Sequence, residues 1–253
     1  MAYYEQLLII CPLIFISGFV DSIAGGGGLI SLPAYNISGF SSHFSLGTNK
    51  FVSCIGTIFS TLRFVRNKNY NLTSAIPSIL FALIGAAIGA KIAVYLDDIV
   101  LRYILVFGIP VIAVIVFKKK NLEKRTPKNL SKMRIIVYSS IVGLIVGGYD
   151  GFFGPGTGTF LILIYTSVLG FDLLTSMGNA KLVNLASNAA SLIVFLIEGK
   201  VVFAVGIPAA ICAMAGHYIG SGFAIKNGQK VVRPMLIFVL ILLLGKLIAD
   251  FFA

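Results

Sequence analysis

Apolar residues gather along this chain into blocks that recur in a fixed order. They run near 6–23, 28–38, 44–66, 72–96 and 99–117, and again near 135–152, 157–169, 175–197, 201–225 and 232–252. Several reach or exceed the roughly 20 apolar residues that cross the hydrocarbon of a bilayer. The block 99–117 holds one charge, Arg102, and 232–253 holds only Arg233, Lys246 and Asp250. The pattern predicts an all-α integral membrane protein. In both series the first block runs into a glycine-rich break, Gly25-Gly26-Gly27-Gly28 and Gly154-Pro155-Gly156-Thr157-Gly158. Glycine costs about 1 kcal/mol in a helix interior and proline about 3, so each break should interrupt its segment. Whether the first two segments of each half cross the membrane or form a re-entrant hairpin is open at this stage.

The polar residues repeat as well. A shift of 131 positions pairs Ser45 with Ser176, Gly47 with Gly178, Lys50 with Lys181, Pro77 with Pro208 and Arg102 with Arg233. Upstream, a shift of 129 pairs Gly18 with Gly147, Asp21 with Asp150, Gly25 with Gly154 and Gly27 with Gly156. Apolar matches are cheap in such a chain; Asp, Lys, Pro and Arg in one register are not. The predicted organisation is a single membrane domain of two repeats, 1–117 and 135–253, joined by a basic linker, 118–134. In each repeat a glycine-broken first helical region precedes three transmembrane helices.

Charge orients the chain. The linker carries Lys118, Lys119, Lys120, Lys124, Arg125, Lys128, Lys132 and Arg134 against Glu123 alone, and basic connections face the cytoplasm. Asp97-Asp98 then falls outside, whereas its repeat equivalent, near Gly228-Gln229, is flanked by Lys226, Lys230 and Arg233. Equivalent loops on opposite sides predict inverted structural repeats, a common plan of secondary transporters, with both termini outside.

Composition narrows the classes further. Only 11% of residues are charged, against about 25% in a soluble domain. The net charge of +11 would suggest nucleic acid in a soluble protein, but its placement in connections points to anionic lipid head groups. No nucleic-acid role is expected. Cys11, Cys54 and Cys212 read as small hydrophobes, with neither a disulfide framework nor metal spacing. His43 and His217 read as packing or interfacial residues. With no Lys or Arg before the first apolar block, that block is expected to be a membrane segment and not a cleaved signal. Tyr3, Tyr4, Tyr70, Tyr95, Tyr103 and Tyr138 fall near segment ends, the depth that tyrosine favours.

Three features carry candidate chemistry. The breaks expose backbone amides, tolerated at membrane depth only in protein or around a cavity. The N-termini of the short segments, at Gly26, Gly27, Gly156 and Thr157, would then present N–H groups suited to an anion. Asp21 and Asp150 precede the breaks and would either carry a coupling proton or cap the amides of their own broken helix. Each long helix also bears a polar stripe: Lys50, Ser53, Gly56, Thr57 and Ser60 in one half, Lys181, Asn184, Ser187, Asn188 and Ser191 in the other. A charge with several directed donors suits a small oxyanion; the bland alternative is that both lysines snorkel to a nearby interface. Asn49 joins the first motif, with Ala180 opposite. Arg102 and Arg233 read as interfacial anchors.

With Asp21-Ser-Ile-Ala-Gly-Gly-Gly-Gly, Leu46-Gly-Thr-Asn-Lys50, Asp150-Gly-Phe-Phe-Gly-Pro-Gly-Thr-Gly158 and Ala180-Lys181 in this order, the chain resembles the sulfite exporter TauE/SafE family over essentially its whole length. Many relatives have Thr where this chain has Ala180, so one hydroxyl is missing from that half. The resemblance implies export of sulfite, sulfoacetate or related anions across the cell membrane, driven by the proton motive force. The expected ligand set is Lys50, Asn49, Ser53, Thr57, Lys181, Asn184 and Asn188 with the glycine-break amides. Expected partners are a small anion and the bilayer; no metal or cofactor is expected, and a homodimer is left open. A cation or neutral-metabolite carrier using Asp21 and Asp150, or a channel, stands as the alternative. An intramembrane aspartyl protease is disfavoured because Asp21 lacks a Gly-x-Gly-Asp context and the two acids are repeat equivalents.

Overall fold

In the computed structural model, residues 2–97, 99–100 and 130–252 are described. Nearly all of the predicted segment 99–117, with Asp98, Arg102 and most of the linker 118–134, lies outside them. The chain forms α1 (Tyr3–Ala24), α2 (Gly28–Ile37), α3 (Ser42–Arg66), α4 (Leu72–Tyr95), α5 (Lys132–Phe152), α6 (Thr157–Ile164), α7 (Leu173–Ile197), α8 (Phe203–Asn227) and α9 (Gln229–Phe252). No strand occurs among the described residues. Among the described residues, side chains cap helix starts at three places. Asn71 accepts from the Ser74 amide, Ser131 from Arg134 and Asp172 from Thr175, supplying acceptors to amides that have none within the helix.

Five of these helices, α1, α4, α5, α7 and α8, are long and apolar enough to cross a membrane. At 25 residues, α3 matches them in length, but its apolar character is diluted by a buried polar face that includes Ser45, Thr48, Asn49, Lys50, Thr57, Ser60 and Thr61. Both α2 and α6 are too short to cross. Ten residues rise only about 15 Å, half the hydrocarbon thickness. The second short helix continues as a π turn, Tyr165–Leu169. The two-residue difference between the repeats falls in this stretch, where the register changes from 129 to 131 between Gly27/Gly156 and Gly39/Gly170. A π turn is one way for a helix to accommodate added residues.

Large apolar side chains face outward and small ones inward, the reverse of a soluble helix. On α4, Ile76, Leu80, Ile84, Ile88 and Ile92 are exposed, while Ala82, Gly85, Ala86, Gly89 and Ala93 are buried. Lipid tails are as apolar as the side chains, so close approach of backbones, and not hydrophobic transfer, holds such helices together. Two seams do this. In the first, α4 lies on α5: a Cβ on Gly85 would sit 2.9 Å from the Gly148 nitrogen, and one on Gly89 2.8 Å from that of Phe152. In the second, α8 lies on α1: a Cβ on Gly216 would sit 2.9 Å from the Phe19 nitrogen, and one on Gly220 2.6 Å from the Phe19 oxygen. Gly85/Gly216 and Gly89/Gly220 are repeat equivalents, so the fourth helix of each half packs on the first helix of the other. The halves are thereby interlocked, with α3 and α7 in contact between the seams.

Hydroxyls tie the first seam further. Ser74 and Ser139 share a hydrogen bond of 2.7 Å, Ser78 donates to the Ser139 carbonyl, and Tyr165 in the π turn donates to Ser78. Gly85→Val and Gly216→Val should each lower the melting temperature, because added methyls in a filled contact cost about 1–3 kcal/mol. Thermal scans of detergent-solubilised protein by size-exclusion chromatography check this; unchanged melting of both variants would contradict the close-packed seams.

Candidate functional site

Where the two glycine-rich breaks meet, the tertiary structure brings together what the sequence keeps some 130 residues apart. Gly25 ends α1 with φ of 77°, the left-handed conformation that glycine tolerates best. This turn lets its backbone lie directly against Gly158 at the start of α6. Thr159 donates 2.6 Å to the Ala24 carbonyl, satisfying one of the acceptors left over at the end of α1. Gly28, at the start of α2, faces Pro155, a Cβ there falling 3.0 Å from the proline Cα. The breaks therefore stack on each other, and the carboxylates just ahead of them reach across to opposite halves.

Each carboxylate takes the lysine of the other half. Lys50 of α3 contacts Asp150 of α5 through Oδ1 at 3.1 Å, and it also donates to the Asp150 carbonyl oxygen and, at 3.2 Å, to Asn188 Oδ1. Lys181 of α7 contacts Asp21 Oδ2 at 2.7 Å and the Asp21 carbonyl at 2.5 Å. Both lysines are 1% exposed, which excludes snorkelling to an interface. An unpaired charge at this depth is prohibitive, so burial and pairing are one fact: two cations and two anions cancel. Neither acid serves only its own helix. Asp21 Oδ1 does accept from the Gly27 amide at 3.2 Å, the capping role considered from sequence, while Asp150 instead accepts from the Thr157 hydroxyl at 2.9 Å and from Ser187 at 2.5 Å.

A small polar cavity of about 20 Å³ lies between these pairs. Its wall includes Asp21 and Asp150, Lys50 with Asn49 and Ser53 from α3, and Asn184 and Asn188 from α7, closed by Gly28 and Gly154 of the breaks. The volume suits about one water molecule. Asn49 Oδ1 is buried without a hydrogen-bond partner, a costly state for a polar atom and one that a hydrogen-bond donor in the cavity, such as water, would relieve. Of the other residues singled out from sequence, Lys181 stands behind Asp21, outside the lining. Gly26 faces Val239 of α9, and Gly27 faces Asp21 and Ser17. Thr157 is occupied with Asp150, Gly156 forms the left-handed turn before α6, and Thr57 is buried with its hydroxyl unpartnered.

One feature differs from the sequence expectation. His217 is neither an interfacial nor a purely packing residue: it is 3% exposed, its Nε2 lies 3.9 Å from Asp21 Oδ2, and its Nδ1 shares a 3.2 Å contact with Ser60. No local motif surrounds it; the one available signal was its position opposite Ala86 in the repeat.

Residues 10–247 match the family described as Sulfite exporter TauE/SafE. The chain belongs to the TauE/SafE sulfite exporter family. Among TauE/SafE relatives, a probable membrane transporter protein of Escherichia coli K12, YfcA, is 34% identical, covering 99% of this chain and 95% of its own. The probable membrane transporter protein ORF9 of a Sinorhizobium species is 36% identical over 93% of this chain and 90% of its own. A further probable membrane transporter protein, from Haemophilus influenzae, is 30% identical over 97% of this chain and 96% of its own. No solved structure matches the chain. With five helices of spanning length among the described residues, this TauE/SafE protein is a multi-pass membrane transporter.

Proposed function

We propose that the protein is a secondary carrier exporting small sulfur anions, sulfite or organosulfonates such as sulfoacetate, with a coupled proton. The observation that carries this reading is the pair of fully buried lysines at equivalent positions of the two halves, each neutralised by the other half's carboxylate beside a cavity lined by amides and hydroxyls. An anion approaching Lys50 or Lys181 competes with the carboxylate already there. Protonating that carboxylate ends the competition and leaves a net positive centre. Proton and anion therefore favour each other's binding, and by linkage the coupling is reciprocal. A divalent anion leaving with one proton carries a net −1 and is driven outward by an inside-negative potential, about 2.3 kcal/mol per 100 mV. The drive in this reading is the membrane potential, since the proton leaves against its own gradient.

The family description supports a sulfur oxyanion, and the asparagines and serines around Lys50 supply the directed donors such an ion needs. A cavity with room for one water corresponds to a closed form, and the anion enters a form in which α3 and α7 stand further apart. In this reading the halves are inverted repeats, the linker 118–134 is cytoplasmic and both termini are outside. Alternating access would then be a rocking of the interlocked seams about the site.

Flux of sulfite, sulfoacetate, sulfate and chloride into proteoliposomes, with and without an imposed proton gradient, tests the proposal. The expected result is saturable movement of one sulfur anion, with sulfoacetate affinity rising as the pH falls. No movement of any anion by folded protein would overturn the reading in favour of a cation or neutral metabolite. Unsaturable flux insensitive to the gradient would replace the carrier with a channel.

A further inference from the structure

The two ion pairs are equivalents in the repeat but not in their surroundings, and the differences converge on one acid. Asp150 is 2% exposed, and its carboxylate has three side-chain donors within reach: Lys50, Ser187 and Thr157, the last shared with the Gly154 carbonyl. Asp21 is 17% exposed, although both acids line the same cavity. At the positions matching Thr157 and Ser187 (157 − 129 = 28 and 187 − 131 = 56) the first half has Gly28 and Gly56, so both hydroxyl donors are missing. Into the space left by Gly56 comes His217: a Cβ on Gly56 would fall 2.9 Å from the imidazole Nε2. The position matching His217 in the first half (217 − 131 = 86) is Ala86, so Asp150 has no such neighbour from that register. Two hydroxyls have been exchanged for an imidazole, at one acid only.

Resting on the carrier reading above, we infer that Asp21, with His217 as its positioning residue, is the carboxyl that takes up and returns the coupled proton, whereas Asp150 stays ionised as the fixed counter-charge of Lys50. A carboxylate saturated by an ammonium and two hydroxyls has its ionised form held by every contact. Asp21, the more exposed acid of the shared cavity, has one ammonium and one amide and no hydroxyl donor. The proton enters from bulk solvent by relay through cavity water, which is left neutral, and forms an O–H bond on Asp21 Oδ2. Lys181 keeps its charge and loses its ionic partner, freeing a donor for an anion. His217 Nε2, beside that oxygen, and Ser60 on its Nδ1 hold the ring where it senses the change. Among the described residues, the charged or titratable groups facing Asp21 are Lys181 from α7, His217 from α8, and Lys50 of α3 and Asp150 of α5 across the cavity.

Infrared difference spectra of the purified protein, recorded while the pH is stepped, read carboxyl protonation directly and need no substrate. A protonated-carboxyl band should appear on acidification, vanish in Asp21→Asn and persist in Asp150→Asn. Asp21→Glu should move its frequency and Asp150→Glu should not, which keeps the assignment testable if the asparagine variants fold poorly. His217→Gln should displace the band's midpoint by roughly tenfold in proton concentration while leaving its frequency in place. A band that follows Asp150, that survives in both asparagine variants, that is insensitive to His217, or that never appears overturns the inference. Failed anion flux with the Asp21 band present would defeat the carrier reading alone; anion flux with a band following Asp150 would defeat this inference alone.

Discussion

Lys50→Met is expected to lower anion flux by at least about 100-fold, and to do so even in a background where the fold is restored. Two effects are superposed in the single variant. Removing the ammonium strips Asp150 of its partner at 3.1 Å in a site that is almost fully enclosed, and breaking a buried pair costs about 3–5 kcal/mol. The single variant should therefore be poorly stable. Neutralising the carboxylate as well, in Lys50→Met/Asp150→Asn, removes the orphaned charge and should recover most of the melting temperature. It cannot recover transport, because the positive charge and its directed donors are gone. Loss of about 3 kcal/mol of anion binding corresponds to about 100-fold. Melting curves and saturable flux, measured on the two single variants and the double, separate the effects. A double variant that melts normally and still carries the anion would show that Lys50 belongs to the structure and not to the substrate.

The second large effect is at the crossing of the breaks. Gly25→Ala should abolish the accumulation of folded protein, whereas Gly39→Ala should cost only about 1–2 kcal/mol. Both glycines have positive φ, 77° and 89°, so both substitutions incur the left-handed penalty of about 1–2 kcal/mol. They differ in surroundings. A Cβ on Gly25 collides with the backbone of Gly158 and lies 2.5 Å from the Thr159 nitrogen, while one on Gly39 meets nothing within 4 Å. Backbone cannot rotate away as a side chain can, so the contact between the breaks must open, and with it the approach of Asp21 to Lys181. Fluorescence-detected chromatography of the two variants gives the comparison. Equal yields of folded protein would mean that the stacking of the breaks is not needed for the fold.

Much of this was legible in the residue order. Blocks of spanning length gave the membrane class, and glycine with proline placed the interruptions after Ala24 and Phe152 within a few residues. The polar stripes marked the inward faces of α3 and α7, because helical periodicity puts residues three and four apart on one side. Repeats in Asp and Lys pointed to Asp21, Lys50, Asp150 and Lys181 before any coordinates. The length mismatch between the halves was visible too, but not that a π turn, Tyr165–Leu169, occupies it.

The pairing was not legible. From the sequence alone, Lys50 lies 29 residues from Asp21 (50 − 21) and 100 from Asp150 (150 − 50), and proximity along the chain favours the wrong partner. Nothing local specifies that α1 packs on α8 and α4 on α5, since the small-residue faces involved are interchangeable in composition. The role of His217 was hidden for the same reason, as a lone histidine has meaning only through what stands opposite it. Sequence determined which residues are too polar to face lipid, because that depends on transfer free energy and helical period alone. Tertiary structure decided which charge meets which, because ion pairing at membrane depth acts over a few ångströms and is set by how closely glycine lets two backbones approach.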